Sequence, residues 1–209
     1  MTLEELLSPT DRKHFLSLAT PLDVQHYLDG FTYINVERNR SPLAVIQDRQ
    51  SHCLDGGMLG AAALRRLGYP PLLVDLIPEP DTDDDHVLAI FKRGRYYGAV
   101  AKSNFPGLRY RDPIYRSLRE LVMSYFPDYF NAAGQKTLRG YTRPLNLAAF
   151  DRHHWEWDED GARRLVERFY SLHAVPLLDE EGRTLLAPMD ERAFKAGMTG
   201  VNTGELFGN

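Results

Sequence analysis

The chain has 209 residues, 43% hydrophobic and 26% charged, so it can bury a substantial core and is neither disordered nor fibrous in composition. Its formal net charge of -4 gives no general attraction to phosphate backbones or anionic lipid, so we expect neither a nucleic-acid nor a membrane partner. The opening residues mix acids and bases with apolar residues, and no later run reaches membrane-spanning length, which indicates a cytoplasmic protein.

Two helices are predicted in the first third of the chain. Thr20 followed by Pro21 is a typical helix start, and this first helical stretch extends to about Gly30. A second helix begins near Ser51 and ends at Gly68, because the prolines that follow forbid its continuation. The second helix is rich in glycine and alanine, which favours close packing against another backbone and a central, buried position.

A small antiparallel sheet is predicted after the second helix. Three short apolar runs follow one another, and a tight turn around Arg93 and Gly94 joins the last two. Pro113 and Ile114 are expected to begin a further helix, and another amphipathic helix is predicted from Gly161 to His173. The strand candidates are LLVDLI, DHVLAIFK and RYYGAVAKS.

These elements predict an α+β fold, with a central cysteine-bearing helix packed on a small antiparallel sheet and flanked by helices. We expect a single domain over residues 1–209, with the core in 20–130. Residues 131–209 form a mainly helical extension that ends in a loosely packed or disordered tail from Ala174.

The single cysteine, Cys53, stands at the predicted start of the second helix. One cysteine forms no internal disulfide and cannot build a thiolate-rich zinc or iron–sulfur site, and we expect no metal and no cofactor. A helix start stabilises a thiolate, and His86 at the start of a strand is the candidate to take the thiol proton and return it. The alternative is a buried packing cysteine, since free cysteines are among the most buried residues.

The order of these elements resembles the core of the transglutaminase-like superfamily, within the papain-like cysteine fold. Residues 51–112 carry the resemblance: the Cys53 helix continues into LRRLGYPPLLV, and His86 heads VLAIFKRGRYYGAV. The resemblance implies that Cys53 and His86 are joined by an Asp or Asn on the neighbouring strand. Such proteins are hydrolases, acyltransferases or, where residues are lost, inactive scaffolds.

The third residue departs from the family pattern, because the strand YYGAVAKSN offers no acid. A two-residue turn at Arg93 and Gly94 would place Ser103 on the face of His86, whereas a three-residue turn would place Asn104 there. We favour Asn104, because an amide oxygen can orient an imidazole, and we keep Ser103 and Asp112 as alternatives.

An oxyanion stabiliser is expected shortly before Cys53. Gln47 precedes it by six residues, the spacing at which papain-like enzymes carry a glutamine, and its amide could donate to a developing oxyanion. Gln50 lies close by, and either glutamine could be an ordinary surface residue.

The acidic run EPDTDDD stands directly before His86. Its spacing is similar to the start of a calcium loop, but the turn glycine and the distal glutamate of such a loop are missing, so a solvated loop is the stronger interpretation. If this loop borders the site, it favours cationic substrates and raises the pKa of His86. The adjacent His153 and His154 are expected to serve surface or packing roles, and His52 is a poor candidate for the base.

The sequence therefore predicts a transglutaminase-like, cysteine-dependent hydrolase or acyltransferase acting on an amide or ester. Cys53 would be the nucleophile, His86 the base and acid, Asn104 the orienting group and Gln47 the oxyanion donor. The alternative is a catalytically inactive scaffold of the same fold that binds a protein or peptide. The sequence leaves open whether the site is active, which small molecule or peptide it takes, and the oligomeric state.

Overall fold

The computed structural model describes residues 1–36 and 38–207, which form an α+β fold with an antiparallel main sheet, as the sequence predicts. In that part of the chain, no helix is both long and apolar enough to cross a membrane. The helices are α1 (Leu3–Leu6), α2 (Pro9–Ser17), α3 (Pro21–Asp29), α4 (Pro42–Asp48), α5 (Cys53–Arg66), α6 (Leu118–Met123), α7 (Glu159–Tyr170), α8 (Glu180–Thr184) and α9 (Glu191–Gly197). The strands are β1 (Thr32–Tyr33), β2 (Gln50–Ser51), β3 (Leu72–Pro78), β4 (His86–Arg93), β5 (Tyr96–Val100), β6 (Arg111–Tyr115), β7 (Leu138–Thr142), β8 (Leu145–Asn146) and β9 (Ala174–Pro176).

The two predicted N-terminal helices are confirmed as α3 and α5. At the start of α3 the Thr20 hydroxyl accepts from the Asp23 amide and the Asp23 carboxylate accepts from the Thr20 amide, so both free amides are satisfied. Helix α5 ends just before Gly68, whose φ of 90° is a conformation that only glycine adopts without strain.

The glycines of α5 allow the sheet to approach the helix closely, as predicted. A Cβ atom built on Gly56 would lie 2.2 Å from the Cβ of Lys102, and one on Gly57 would lie 2.8 Å from Cγ1 of Val87. Real Cβ atoms do not come that close to another atom. The backbone of α5 therefore rests directly on β4 and on the residues that follow β5.

The main sheet has the strand order β6-β5-β4-β3-β7-β9, with β8 also paired to β3, and every pairing is antiparallel. The three predicted strands are its central members. The β4–β5 turn consists of Gly94 and Arg95, because Arg93 pairs with Tyr96. The predicted two-residue turn at Arg93 and Gly94 is thus displaced by one residue, since the φ of 61° at Gly94 suits the first central position of a type II′ turn.

The predicted helix is present as α6, but its predicted start at Pro113 and Ile114 is wrong. These residues belong to β6, the edge strand of the sheet, where a proline without an N–H group costs no ladder hydrogen bond. The helix begins only at Leu118, after Ser117 caps it by accepting from the Glu120 amide.

The predicted mainly helical extension also supplies strands. From residue 131 onward the chain contributes β7, β8 and β9 as well as α7, α8 and α9, and β7 pairs with the central strand β3. The predicted loose tail contains α8 and α9, none of whose residues is buried. The last two residues of that tail lie outside the described residues.

The sheet separates two hydrophobic cores, and alternate residues of β3 and β4 enter different cores. Leu73 and Val87 pack with α5 in the larger core, whereas Leu76 and Leu88 pack with α6 and Tyr129 in the smaller one. Because side chains alternate along a strand, Asp75 lies on the α5 face and His86 lies on the opposite face. Asp75 therefore lies on the same side of the sheet as Cys53, which begins α5, and His86 lies on the other side.

Candidate functional site

Cys53 is the first residue of α5 and is placed there by the short strand β2, which runs parallel to β1. Its side chain is nearly buried, and its Sγ lies 3.6 Å from the carbonyl oxygen of Asp85, to which the thiol donates. Beside it is a cleft of about 160 Å³. The cleft is lined by Tyr33, Asn35, Val36, Asn39, His52, Cys53, Asp84, Asp85 and Tyr170.

The predicted pairing of Cys53 with His86 is not present. His86 is buried on the far face of the sheet, and its Nε2 lies 2.7 Å from the carbonyl oxygen of Leu108. A carbonyl only accepts, so Nε2 carries the proton and donates it there. Burial lowers the pKa of His86 to about 4, although the bond to Leu108 opposes the shift. The expected rise of this pKa by the acidic loop is therefore also wrong.

Asp85 occupies the place beside Cys53 that the sequence assigned to His86. Asp85 immediately precedes β4, and a difference of one residue along an extended chain reverses the face on which a side chain lies. Its carboxylate accepts from the Tyr170 hydroxyl, with Oδ2 at 3.2 Å from the hydroxyl oxygen.

Asp75 and Asp85 form a hydrogen-bonded pair of carboxyl groups next to the thiol. Burial, then the charge of Asp85 and the bond to it, raise the pKa of Asp75 well above its ordinary value, so Asp75 is the protonated member. Burial also raises the pKa of Asp85, while bonds from Asp75 and Tyr170 lower it. Asp85 is thus a carboxylate held by two donors, and among the residues that the structure describes Oδ1 of Asp75 is buried without a hydrogen-bond partner.

The Cys53 thiol is protonated in this setting. Burial raises its pKa well above the ordinary value, and the charge of Asp85 adds to the shift, while a backbone hydrogen bond from Val87 opposes it. The helix start therefore does not produce the resting thiolate expected from the sequence, because burial and a neighbouring carboxylate outweigh the helix dipole.

His52 caps α5 rather than activating the thiol. Its Nδ1 accepts from the Leu54 amide at 3.2 Å, which leaves Nε2 as the donor toward the carbonyl oxygen of Arg38. Burial lowers the pKa of His52 to about 4, so the ring is neutral at pH 7. The sequence-based judgement that His52 is a poor base agrees with this capping role.

None of the three candidates for the third residue contacts His86 through a hydrogen bond within the described chain. Asn104 exchanges hydrogen bonds with the backbone of Asn202, and the Ser103 hydroxyl accepts from the Phe105 amide. Asp112 is exposed on the edge strand β6. Continuing the observed β4–β5 register places Ser103, not Asn104, opposite His86, because the turn lies one residue further along.

The predicted oxyanion donor Gln47 does not line the cleft. It is exposed near the end of α4, and Gln50 is exposed on β2. The first turn of α5 instead points its backbone N–H groups toward the helix start, where Cys53 meets the cleft.

The acidic loop does border the site, as the sequence allowed. Asp84 and Asp85 line the cleft, and Asn35 donates to the Asp84 carboxylate at 3.1 Å. Burial raises the pKa of Asp83 to about 6, although that side chain accepts from Thr137. Within residues 1–36 and 38–207, no group of three or more His, Cys, Asp or Glu side chains is arranged to hold a metal ion.

Asp75 and Tyr170 are site residues that the sequence reasoning missed. An aspartate inside the apolar run LLVDLI was the available signal, because a charged residue in a buried strand requires a polar partner. Tyr170 ends α7, more than 80 residues after Asp85, and no local pattern connects the two.

Searches among known proteins place few constraints on this chain. No protein-family model matches it, and no curated protein matches it. Among solved structures it is similar to Legionella pneumophila LapG (EGTA-treated), with 14% sequence identity and a TM-score of 0.37 over 49% of this chain and 70% of that chain. A likeness of this strength carries no argument about chemistry.

Proposed function

We propose that this chain is a transglutaminase-like, cysteine-dependent hydrolase or acyltransferase acting on an amide or ester, in which Asp85 rather than His86 serves as the base. The observation that carries the proposal is the placement of the Cys53 thiol in one cleft with the Asp85 carboxylate, which buried Asp75 and the more exposed Tyr170 hold by hydrogen bonds. Asp75 and Tyr170 are positioning residues, because they act on Asp85 and not on the substrate.

The proposed reaction begins with transfer of the Cys53 thiol proton to the Asp85 carboxylate. As the sulfur bonds to the substrate carbonyl carbon, the electron pair of the C=O bond moves to oxygen, and an N–H group at the start of α5 donates to that oxyanion. Collapse expels the amine or alcohol, which takes the proton from Asp85. Water or a second nucleophile then cleaves the thioester and restores the thiol.

Acylation by an activated ester tests this proposal. Intact-mass spectrometry after incubation with p-nitrophenyl butyrate is expected to show one butyryl group on the protein, removable by hydroxylamine and absent from Cys53→Ala. Asp85→Asn should slow acylation about a hundredfold or more, the usual contribution of a general base.

Asp81→Asn is the matched control. Asp81 lies on the same loop, is exposed and has a φ of 60°, which asparagine tolerates well, and it does not line the cleft. Its rate of acylation should equal that of the unsubstituted protein. Equal rates for Asp85→Asn and Asp81→Asn would remove Asp85 from the mechanism.

The second candidate is a catalytically inactive scaffold that binds a protein or peptide. Two observations favour it: His86 is turned away from Cys53, and the thiol is protonated. If Cys53 acquires no acyl group under conditions that acylate a free cysteine peptide, the scaffold is the better description.

A further inference from the structure

A second cavity of about 240 Å³ lies behind the loop that carries Asp84 and Asp85. It shares these two aspartates and Tyr33 with the Cys53 cleft but opens on the side of His86 and Asn104. Part of its wall comes from the C-terminal residues Glu205, Leu206 and Phe207, more than 90 positions after the sheet residues they face.

The C-terminal segment 202–207, which supplies this wall, is attached to the protein by a pair of hydrogen bonds between the Asn104 side chain and the Asn202 backbone. The Asn104 side-chain amide donates to the carbonyl oxygen of Asn202 and its oxygen accepts from the Asn202 N–H, both at 2.9 Å. This reciprocal pair has the form of the two hydrogen bonds of a β-ladder and holds the extended backbone of Asn202, after which Thr203–Glu205 form one turn of 3-10 helix.

The same segment adds a carboxylate contact and an apolar contact. The Glu205 carboxylate accepts from the backbone N–H of Asn35, on the rim of the Cys53 cleft. Leu206 and Phe207 line the cavity together with Phe105 and Phe130. The three contacts together define an amide-to-backbone clamp, a backbone N–H donor for a carboxylate side chain, and an apolar end.

The segment and the helix that leads into it lie on the surface of the protein. Helix α9, which leads into it, has no buried residue, and its Phe194 ring touches Phe130 at a centroid distance of 5.5 Å. Glu205 also shares the cavity with Asp84 and Asp85, and like charges oppose its binding. A segment held in this way opens at low free-energy cost.

We propose that the cavity beside His86 and Asn104 is part of a peptide-binding groove, one wall of which the segment 202–207 occupies in cis. Its ligand in trans is a peptide of the same chemistry and the same turn conformation, with a carboxylate side chain followed by two apolar residues. Peptide binding at this site does not require any reaction at Cys53, so a negative result for one of the two proposals leaves the other unaffected.

Competition between the segment 202–207 and an added peptide determines how far the apparent affinity for the peptide is reduced. A short flexible connection gives an effective concentration in the millimolar range. A peptide with a Kd on the order of 0.1 mM would therefore be displaced by the chain's own segment, and its apparent affinity would fall about tenfold.

The test uses a fluorescent, C-terminally amidated peptide of residues 199–207 and the full chain carrying Asn202→Pro and Glu205→Ala. The φ of -78° at Asn202 is compatible with proline, and this change removes both the donor N–H and the side-chain oxygen that accepts from the Gly204 N–H. The matched control is Glu191→Ala, which breaks only the exposed Glu191–Lys195 pair of α9.

Fluorescence anisotropy is expected to show the peptide binding the double variant at least tenfold more tightly than the unsubstituted chain or the control. Adding Asn104→Leu, which removes the clamp from the cavity side, should abolish the gain. A peptide carrying the same two substitutions should not bind. The proposal would be overturned if the peptide did not bind the double variant. It would also be overturned if the double variant, the unsubstituted chain and the Glu191→Ala control bound the peptide with equal affinity.

Discussion

At the scale of single residues, the identity of the group beside Cys53 decides the chemistry available to this protein. A histidine there would favour the thiolate by forming an ion pair with it, whereas burial, with the charge of Asp85 adding to its effect, raises the pKa of the Cys53 thiol well above its ordinary value and keeps it protonated. His86, buried and bound to the Leu108 carbonyl, contributes to stability and not to that contact.

Alkylation of Cys53 should report its raised pKa. The rate at which iodoacetamide alkylates Cys53 should still be rising with pH above pH 9, and it should not level off at any lower pH. Asp85→Asn should shift this dependence of rate on pH to lower pH, because it removes a negative charge next to the thiol. His86→Ala should leave the profile unchanged. A profile that shifts with His86→Ala but not with Asp85→Asn would contradict the assignment of these two faces.

His86 should make the fold sensitive to acid. Its folded pKa of about 4 lies below the ordinary 6.5, so the folded state binds fewer protons, and the stabilisation present above pH 6.5 is lost as pH falls toward 4. The full shift corresponds to about 3 kcal/mol. Urea unfolding at pH 7 and pH 4 should show a larger loss for the unsubstituted chain than for His86→Gln. Equal losses would show that His86 does not titrate as described.

At the scale of elements, the closeness of α5 to the sheet is the feature that positions Cys53. The sequence predicted that closeness from Gly56, Gly57 and Gly60, and the contacts at these positions confirm it. The prediction that His86 lies beside Cys53 was wrong, because β4 is apolar on both faces. Its sequence has no alternation of polar and apolar residues that would indicate which side chains face α5.

Alanine at each of these glycines should destabilise the protein in the order of the space available. A new Cβ would lie 2.2 Å from Lys102 at Gly56, 2.8 Å from Val87 at Gly57 and 3.1 Å from Val100 at Gly60. Overpacking costs about 1–3 kcal/mol or more. Because each glycine-to-alanine substitution gains the same helix propensity, differences in the free energy of unfolding among the three variants report the difference in packing. Free energies of unfolding in urea that do not follow this order would contradict the contacts.

At the scale of the whole molecule, one sheet lies between the two cores and contributes side chains to both, so we expect them to unfold as a unit. Strand β3 contributes Leu73 to the core with α5 and Leu76 to the core with α6, and both side chains are fully buried. Neither core can lose its half of β3 without exposing the other.

Leu73→Ala and Leu76→Ala should therefore destabilise the same single transition, each by about 2–5 kcal/mol. Urea unfolding followed by far-UV circular dichroism and by fluorescence of the two tryptophans, Trp155 and Trp157, which both pack in the larger core, should give coincident curves for both variants. If Leu76→Ala shifts the dichroism curve and leaves the fluorescence curve in place, the two cores are independent.

The sequence by itself determined the elements near the centre of the protein: α3 from its capping residues, α5 from its glycines and its terminating Gly68, and β3, β4 and β5 from their apolar runs. These are local signals, and local backbone chemistry fixes them. Only the tertiary structure decided which side chains surround Cys53, because the face of a strand depends on a register that one residue reverses. It also decided that Tyr170 and the segment 202–207 reach the site, since contacts between distant parts of a chain leave no local trace in its sequence.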